Sequence, residues 1–273
     1  HGLALAHEVF EGNISDANTL LQMLERLGGA NDAGGKPVVI LDAGIATEAN
    51  LALLKAQGYA YLVNVTRGSR KKYAEAFRAD DFAPLPGRDA DQQVEVKSIA
   101  HPEAQDDRLV LCRSSKRRDK EQAMLSNAEK RFLADVEKLQ QRVRLGRLKD
   151  NDKVLKAIGR VLAKHPRVAR FYDLELLDAE ITVQRKDAAI DGAYELCGDY
   201  VLRTDQAFPA DVLWNLYMTL LKAEEGFKVL KGTLGLRPNF HQKEHRVDGH
   251  IFISVLAYHL LCWINNKLEA AGD

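Results

Sequence analysis

Over the first seventy residues the apolar positions switch between short runs and helical spacing, and the switching predicts strand, helix, strand, helix, strand. LALAHEVF (3–10) reads as a strand that ends at the turn Gly12-Asn13. SDANTLLQMLERLG (15–28) has the spacing of a helix, with Ser15 or Asp16 as cap and Gly28-Gly29 as stop. KPVVILDAG (36–44) is the apolar run of a buried strand with Asp42 at its carboxyl end. TEANLALLKAQG (47–58) predicts an amphipathic helix running from an N-cap at Thr47 to a stop at Gly58, and YAYLVNVTR (59–67) predicts the next strand. That alternation implies an α/β sheet whose later strands are parallel. Ligands tend to lie at the carboxyl edge of such a sheet, where Asp42 falls.

After residue 67 the rhythm breaks. Residues 68–90 are polar and rich in Arg, Lys, Asp and Pro. QQVEVKSIA (92–100) and DRLVLCRS (107–114) predict an antiparallel pair around His101-Pro102. Residues 116–165 are helical and heavily charged, with a break near Gly146–Asp152. LLDAEITVQR (176–185) and YELCGDYVLRT (194–204) read as strands joined through Asp191-Gly192. The chain thus divides into a first core segment (1–67), an insertion (68–206) and a helical C-terminal part (207–273). The helix ADVLWNLYMTLLKAEEGFKVLKG (209–231) organises the last part. Its spacing puts Tyr217, Leu220, Glu224, Phe227, Lys228 and Lys231 on one stripe. A carboxylate within an apolar stripe calls for a partner. A divalent metal is one; Lys228, four residues on, is the other. A loop over 234–250 follows, and then a helix over 249–268 with Asp248 as its cap.

Composition narrows the choice. Hydrophobic residues make up 46% and charged residues 29%, as in a soluble globular protein, and the net charge of +0 gives no whole-molecule attraction to nucleic acid or membrane. Cys112, Cys197 and Cys262 are scattered, which implies neither a disulfide framework nor a metal site and fits a reducing cytoplasm. No signal peptide is visible. IFISVLAYHLLCWI (251–264) is too short to span a bilayer and reads as a core helix. His241, His245 and His250 either ligate zinc, pack under the last helix or touch phosphate. The basic runs RSSKRRDK (113–120) and KLQQRVRLGRLK (138–149) line a nucleic-acid path or form a solvated helical face.

Several stretches together resemble the bacterial insertion-sequence transposases of the DDE type, in the group with a β-rich insertion before the last catalytic residue. They are VVILDAGIATEANL (38–51), YVLRTD (200–205), the helix at 209–231 and LKGTLGLRPNFHQKEHRVDGHIFISVLAYHL (230–260), with EVFEGNISDANTL (8–20) at the start. The family signature Tyr-x2-Arg-x3-Glu-x6-Lys is met by Tyr217, Glu224 and Lys231, with Leu220 at the arginine position. The resemblance implies an RNase H-like core, a mixed sheet flanked by helices, with a large β-plus-helix insertion before the last catalytic helix. It implies that Asp42 and Glu224 are catalytic and hold Mg²⁺ or Mn²⁺ for phosphodiester cleavage and strand transfer. Tyr217, Lys228 and Lys231 would contact DNA phosphate; Arg67 and Arg203, near strand ends, would do so too. The expected partners are transposon ends, target DNA and a second copy of the chain, and no membrane. The family's first aspartate lies on a strand expected upstream of His1, so the metal site is expected to be incomplete and the chain weak or inactive. A non-catalytic DNA-binding remnant is the alternative; a small-ligand α/β protein using Asp42 in a receiver-type role is a third.

Overall fold

The computed structural model describes residues 7–11, 13–30, 36–86 and 93–271. In chain order the elements are α1 (Leu20–Ala30), β1 (Val38–Leu41), α2 (Glu48–Ala56), β2 (Ala60–Asn64), α3 (Ala74–Arg78), β3 (Ala83–Pro84), β4 (Val94–Ala100), β5 (Arg108–Ser114), α4 (Ser115–Arg144), α5 (Asn151–Lys164), α6 (Pro166–Ala169), β6 (Tyr172–Leu177), β7 (Glu180–Arg185), α7 (Asp187–Glu195), β8 (Asp199–Thr204), α8 (Ala210–Lys231) and α9 (Glu244–Ala271). Six strands form one mixed sheet in the order β1-β2-β8-β5-β4-β3, flanked by helices as expected of an RNase H-like core. β1 and β2 are parallel, Val38 opposite Ala60, and β8 runs antiparallel to β2 with Thr204 opposite Leu62. Two compact units emerge: residues 1–67, 96–111 and 201–273, and residues 68–95 and 112–200.

In the first unit, α1 and α2 bury Leu20, Leu24, Leu51 and Leu54 against Leu41, Tyr61 and Val63 of the sheet. Thr47 caps α2 as expected, its hydroxyl accepting from the Asn50 amide at 3.2 Å. Gly58 ends that helix at φ +71°, a conformation costly for residues with a Cβ. Ser15, in contrast, makes no capping hydrogen bond; it precedes a short 3₁₀ turn, Asp16–Asn18. Of the strand expected at 3–10, residues 3–6 lie outside the described residues and 7–10 are not in a strand.

The second unit corrects two readings. The run at 176–185 is a hairpin, not one strand: Asp178 and Ala179 turn the chain at φ 48° and 62°, and β6 pairs with β7 on either side. Asp191-Gly192 is no strand junction but lies inside α7, whose Ile190 is fully buried beside Phe132 and Val136 of α4. The charged helical stretch does split as expected, into α4 and α5, with Asp150 capping α5.

Asp199, at the start of β8, is 3% exposed and lines a cleft of about 690 Å³ with Arg78, Arg113, Arg118 and Tyr194. Burial pushes its carboxyl up to about 6, against the pull of Arg118, Arg113 and Arg70. Folded chains therefore bind this proton more tightly than unfolded ones. The resulting stabilisation is complete below the unfolded value of about 3.9 and lost as pH rises through about 6. Asp199→Asn removes the ionisation. In urea titrations the variant should match the wild type near pH 4 and exceed it at pH 8 by up to about 3 kcal/mol, the ceiling set by a two-unit shift. Equal gains at both pH values would refute a titrating Asp199.

Candidate functional site

Asp42 directly follows β1 and is exposed. Its backbone carbonyl accepts from Ile45 and Ala46, closing the turn into α2, and its Oδ1 accepts from the Ala43 amide at 2.7 Å. The side chain is thus tied to the turn at the carboxyl end of β1.

Glu224 lies two-thirds along α8 and is also exposed. Among the described residues it forms no ion pair with Lys228. The stripe expected to be apolar and buried is not: Tyr217 and Leu220 are half-buried, and Glu224, Phe227, Lys228 and Lys231 are exposed. α8 instead buries Leu213 and Trp214 early and Gly226 and Leu230 late. Its packing explains the change of face. α8 packs on β1, β2 and α9, and its Gly226 lies against α9. Tyr258 of α9 lies where a Cβ on residue 226 would be, so only glycine permits that approach. Lys231 places its ammonium 5.7 Å above the Phe227 ring.

Arg203 does not present a free guanidinium to phosphate. Its Nε donates to Asp107 at 2.6 Å, and its two terminal nitrogens donate to Glu48 at 2.6 and 3.3 Å. Asp107, which the sequence did not single out, is the hub of the unit: its fully buried carboxylate also accepts from Lys55 at 2.7 Å and from the Tyr61 hydroxyl at 2.6 Å. Burial alone would raise the Asp107 carboxyl, but the hydrogen bonds from Lys55, Tyr61 and Arg203 outweigh it and hold it below the usual range. Tyr61 is driven the other way, well above an ordinary phenol, by burial and by Asp107. Arg67 is exposed beyond β2.

Within the second unit, much of the basic run 113–120 is internal wiring. Arg113 donates to the carbonyls of Phe77 and Ala79, Arg117 to Glu121 and Arg118 to the Cys197 carbonyl. Lys138, Arg142, Arg144, Arg147 and Lys149 remain exposed. In the first unit His241 stacks edge-on against His250 at 5.5 Å, and His250 meets the Gly235 carbonyl. Among the described residues there is no group of three or more His, Cys, Asp or Glu that could hold a metal. Asp42 and Glu224 offer hard, exposed carboxylate oxygens. Each is of the hard donor type that divalent ions such as Mg²⁺ take alongside water and phosphate oxygens.

No curated protein and no solved structure matches the chain. A family model does: the one described as Transposase DDE domain matches residues 1–260 of the 273. With its mixed sheet flanked by helices, the chain therefore belongs to the transposase DDE domain family, whose members act on DNA in transposition and generally use divalent metal ions.

Proposed function

We propose that this chain is a transposase catalytic domain that cleaves phosphodiester bonds of transposon DNA and transfers the strand ends, with Asp42 and Glu224 holding Mg²⁺ or Mn²⁺. The observation that carries the reading is that α8 packs on β1 and β2 within one unit. β8 ends at Thr204, opposite Leu62 in the middle of β2 and running toward the start of that strand, and α8 begins six residues later. From Ala210 to Glu224 the helix rises about 20 Å, while the four residues of β1 span about 13 Å. A helix laid along β1 from that end therefore has the reach to bring Glu224 level with Asp42. The bound ion would supply Lewis-acid stabilisation of charge on the phosphate oxygens. Asp42 and Glu224 would orient it, and Tyr217, Lys228, Lys231 and Arg67 would position the DNA backbone. Of residues 68–206, the stretches 68–95 and 112–200 would form the insertion, while 96–111 and 201–206 join the unit that holds 1–67 and 207–273. The protein would work in the cytoplasm as a homodimer.

A second reading, a DNA-binding remnant without catalysis, is favoured by two observations. Leu220 stands at the signature arginine, and among the described residues no third acidic group joins a metal-holding cluster. One assay separates the two. Supercoiled plasmid is incubated with the protein and Mg²⁺ or Mn²⁺, with and without EDTA, and binding to labelled duplex is titrated with salt. Weak metal-dependent nicking that EDTA abolishes is the expected result. Binding that falls steeply with salt, with no nicking under either ion, would leave only the second reading.

A further inference from the structure

α9 was expected to be a core helix, and it is not one. Its buried residues are Ser254 and Tyr258. Ser254 donates to the His250 carbonyl, and Tyr258 meets α8 at Gly226. At 100° per residue the opposite face carries Phe252, Ile253, Leu256, Leu260, Trp263 and Ile264. Each of these six is between 46% and 66% exposed. Contiguous apolar surface on this scale marks an interaction site.

We propose that this face is the contact between two copies of the chain, paired antiparallel about a two-fold axis through residue 258. The assignment rests on the homodimer suggested above and gives it a surface. An isologous interface must be self-complementary, residue i meeting j as j meets i. The stripe has that symmetry. Inverted about 258, Leu256 falls on Leu260, Ile253 on Trp263 and Phe252 on Ile264. Just outside them Gly249 falls on Lys267, which puts Lys267 beside Asp248, an opposite charge at each end. The area is sufficient as well. Six large side chains of about 200 Å² each, a little over half bare, offer on the order of 650 Å² per copy; two copies bury about 1,300 Å², within the usual range for a specific complex. The net charge of +0 adds no repulsion between copies.

By length and composition α9 could also cross a membrane. Two features argue against it. The apolar run 251–264 carries His259 and is followed by Asn265, Asn266 and Lys267, short of the roughly 20 residues a span requires. One side of the helix is also already fixed on α8 by Tyr258.

The test is sedimentation equilibrium of the full chain in nuclease-treated, 1 M NaCl buffer, where DNA bridging is suppressed and an apolar contact is not. The wild type should be a dimer. L256E/L260E should dimerise at least 100-fold more weakly with an unchanged circular dichroism spectrum, and so should L256K/L260K. Mixing the two at equal concentration should restore the dimer, because residue 256 of one copy then meets residue 260 of opposite charge on the other. Leu155→Glu, an equally exposed leucine on α5, should leave the dimer intact. A wild-type dimer that both double variants preserve would overturn this surface while leaving a homodimer standing. A wild-type monomer would overturn both, and if that monomer also floats with phosphatidylcholine vesicles, α9 is a membrane contact instead. None of these readouts depends on nicking, so the transposase reading survives or fails separately.

Discussion

Asp107→Ala should cost the fold about 3–5 kcal/mol, the range for stripping one partner from a buried ion pair. The carboxylate has no solvent exposure and accepts from Lys55, Tyr61 and Arg203 together. Alanine would leave the Arg203 guanidinium, whose side chain is 12% exposed, facing a void with only Glu48 to pair it. Lys55 is partly exposed and can turn to water, so most of the loss comes from Arg203 and Tyr61. Asp107→Asn should lose less, since it keeps the acceptor oxygen. The double variant Asp107→Leu with Arg203→Met should recover much of the loss, because the two effects share one contact and do not add. The penalty also has a pH signature. Asp107 is held below the usual carboxylate range, so its contribution is present above the unfolded value of about 3.9 and fades as pH falls through the folded value. Urea midpoints at pH 7 measure the effect. A change under about 1 kcal/mol for Asp107→Ala would show the network to be idle.

What could be read in the sequence was local. The Thr47 cap, the Gly58 stop, the β4–β5 pair and the break between α4 and α5 each depend on residues within a few positions of one another. The hairpin β6–β7 was hidden because its turn uses Asp178-Ala179, with no glycine at either positive-φ position, and LLDAEITVQR reads as unbroken strand. α7 was hidden for the opposite reason. Asp191-Gly192 is strong turn chemistry, overridden because Ile190 packs into the core beside Phe132. The hub at Asp107 could not be found by spacing at all. Its partners lie 52, 46 and 96 positions away, and no periodicity links them. The family signature on α8 was visible as a spacing of Tyr, Glu and Lys. The stripe's exposure was not, because it depends on where α9 crosses, and that is decided by Gly226 and Tyr258.

That exposure makes the site variants clean to interpret. Under the proposed chemistry, Asp42→Asn and Glu224→Gln should each lower the metal-dependent nicking rate by about 10³-fold, since a bound ion contributes several kcal/mol and each tenfold is worth about 1.4. Neither should lower the melting temperature in the absence of metal. Both carboxylates are exposed. The amide introduced by Asp42→Asn keeps an oxygen to accept from Ala43, and Glu224 has no ion pair to lose among the described residues. Glu225→Gln, an exposed neighbour on the same helix turn, is the control and should nick at the wild-type rate. A second readout does not need turnover. An ion that binds only the folded chain raises its melting temperature by mass action, so millimolar Mg²⁺ should shift the wild type upward and shift both site variants less. Wild-type nicking by either variant would remove that residue from the chemistry. An unchanged Mg²⁺ shift in both would mean that Asp42 and Glu224 do not share an ion, and α8 would then bring its signature to the sheet for a reason other than catalysis.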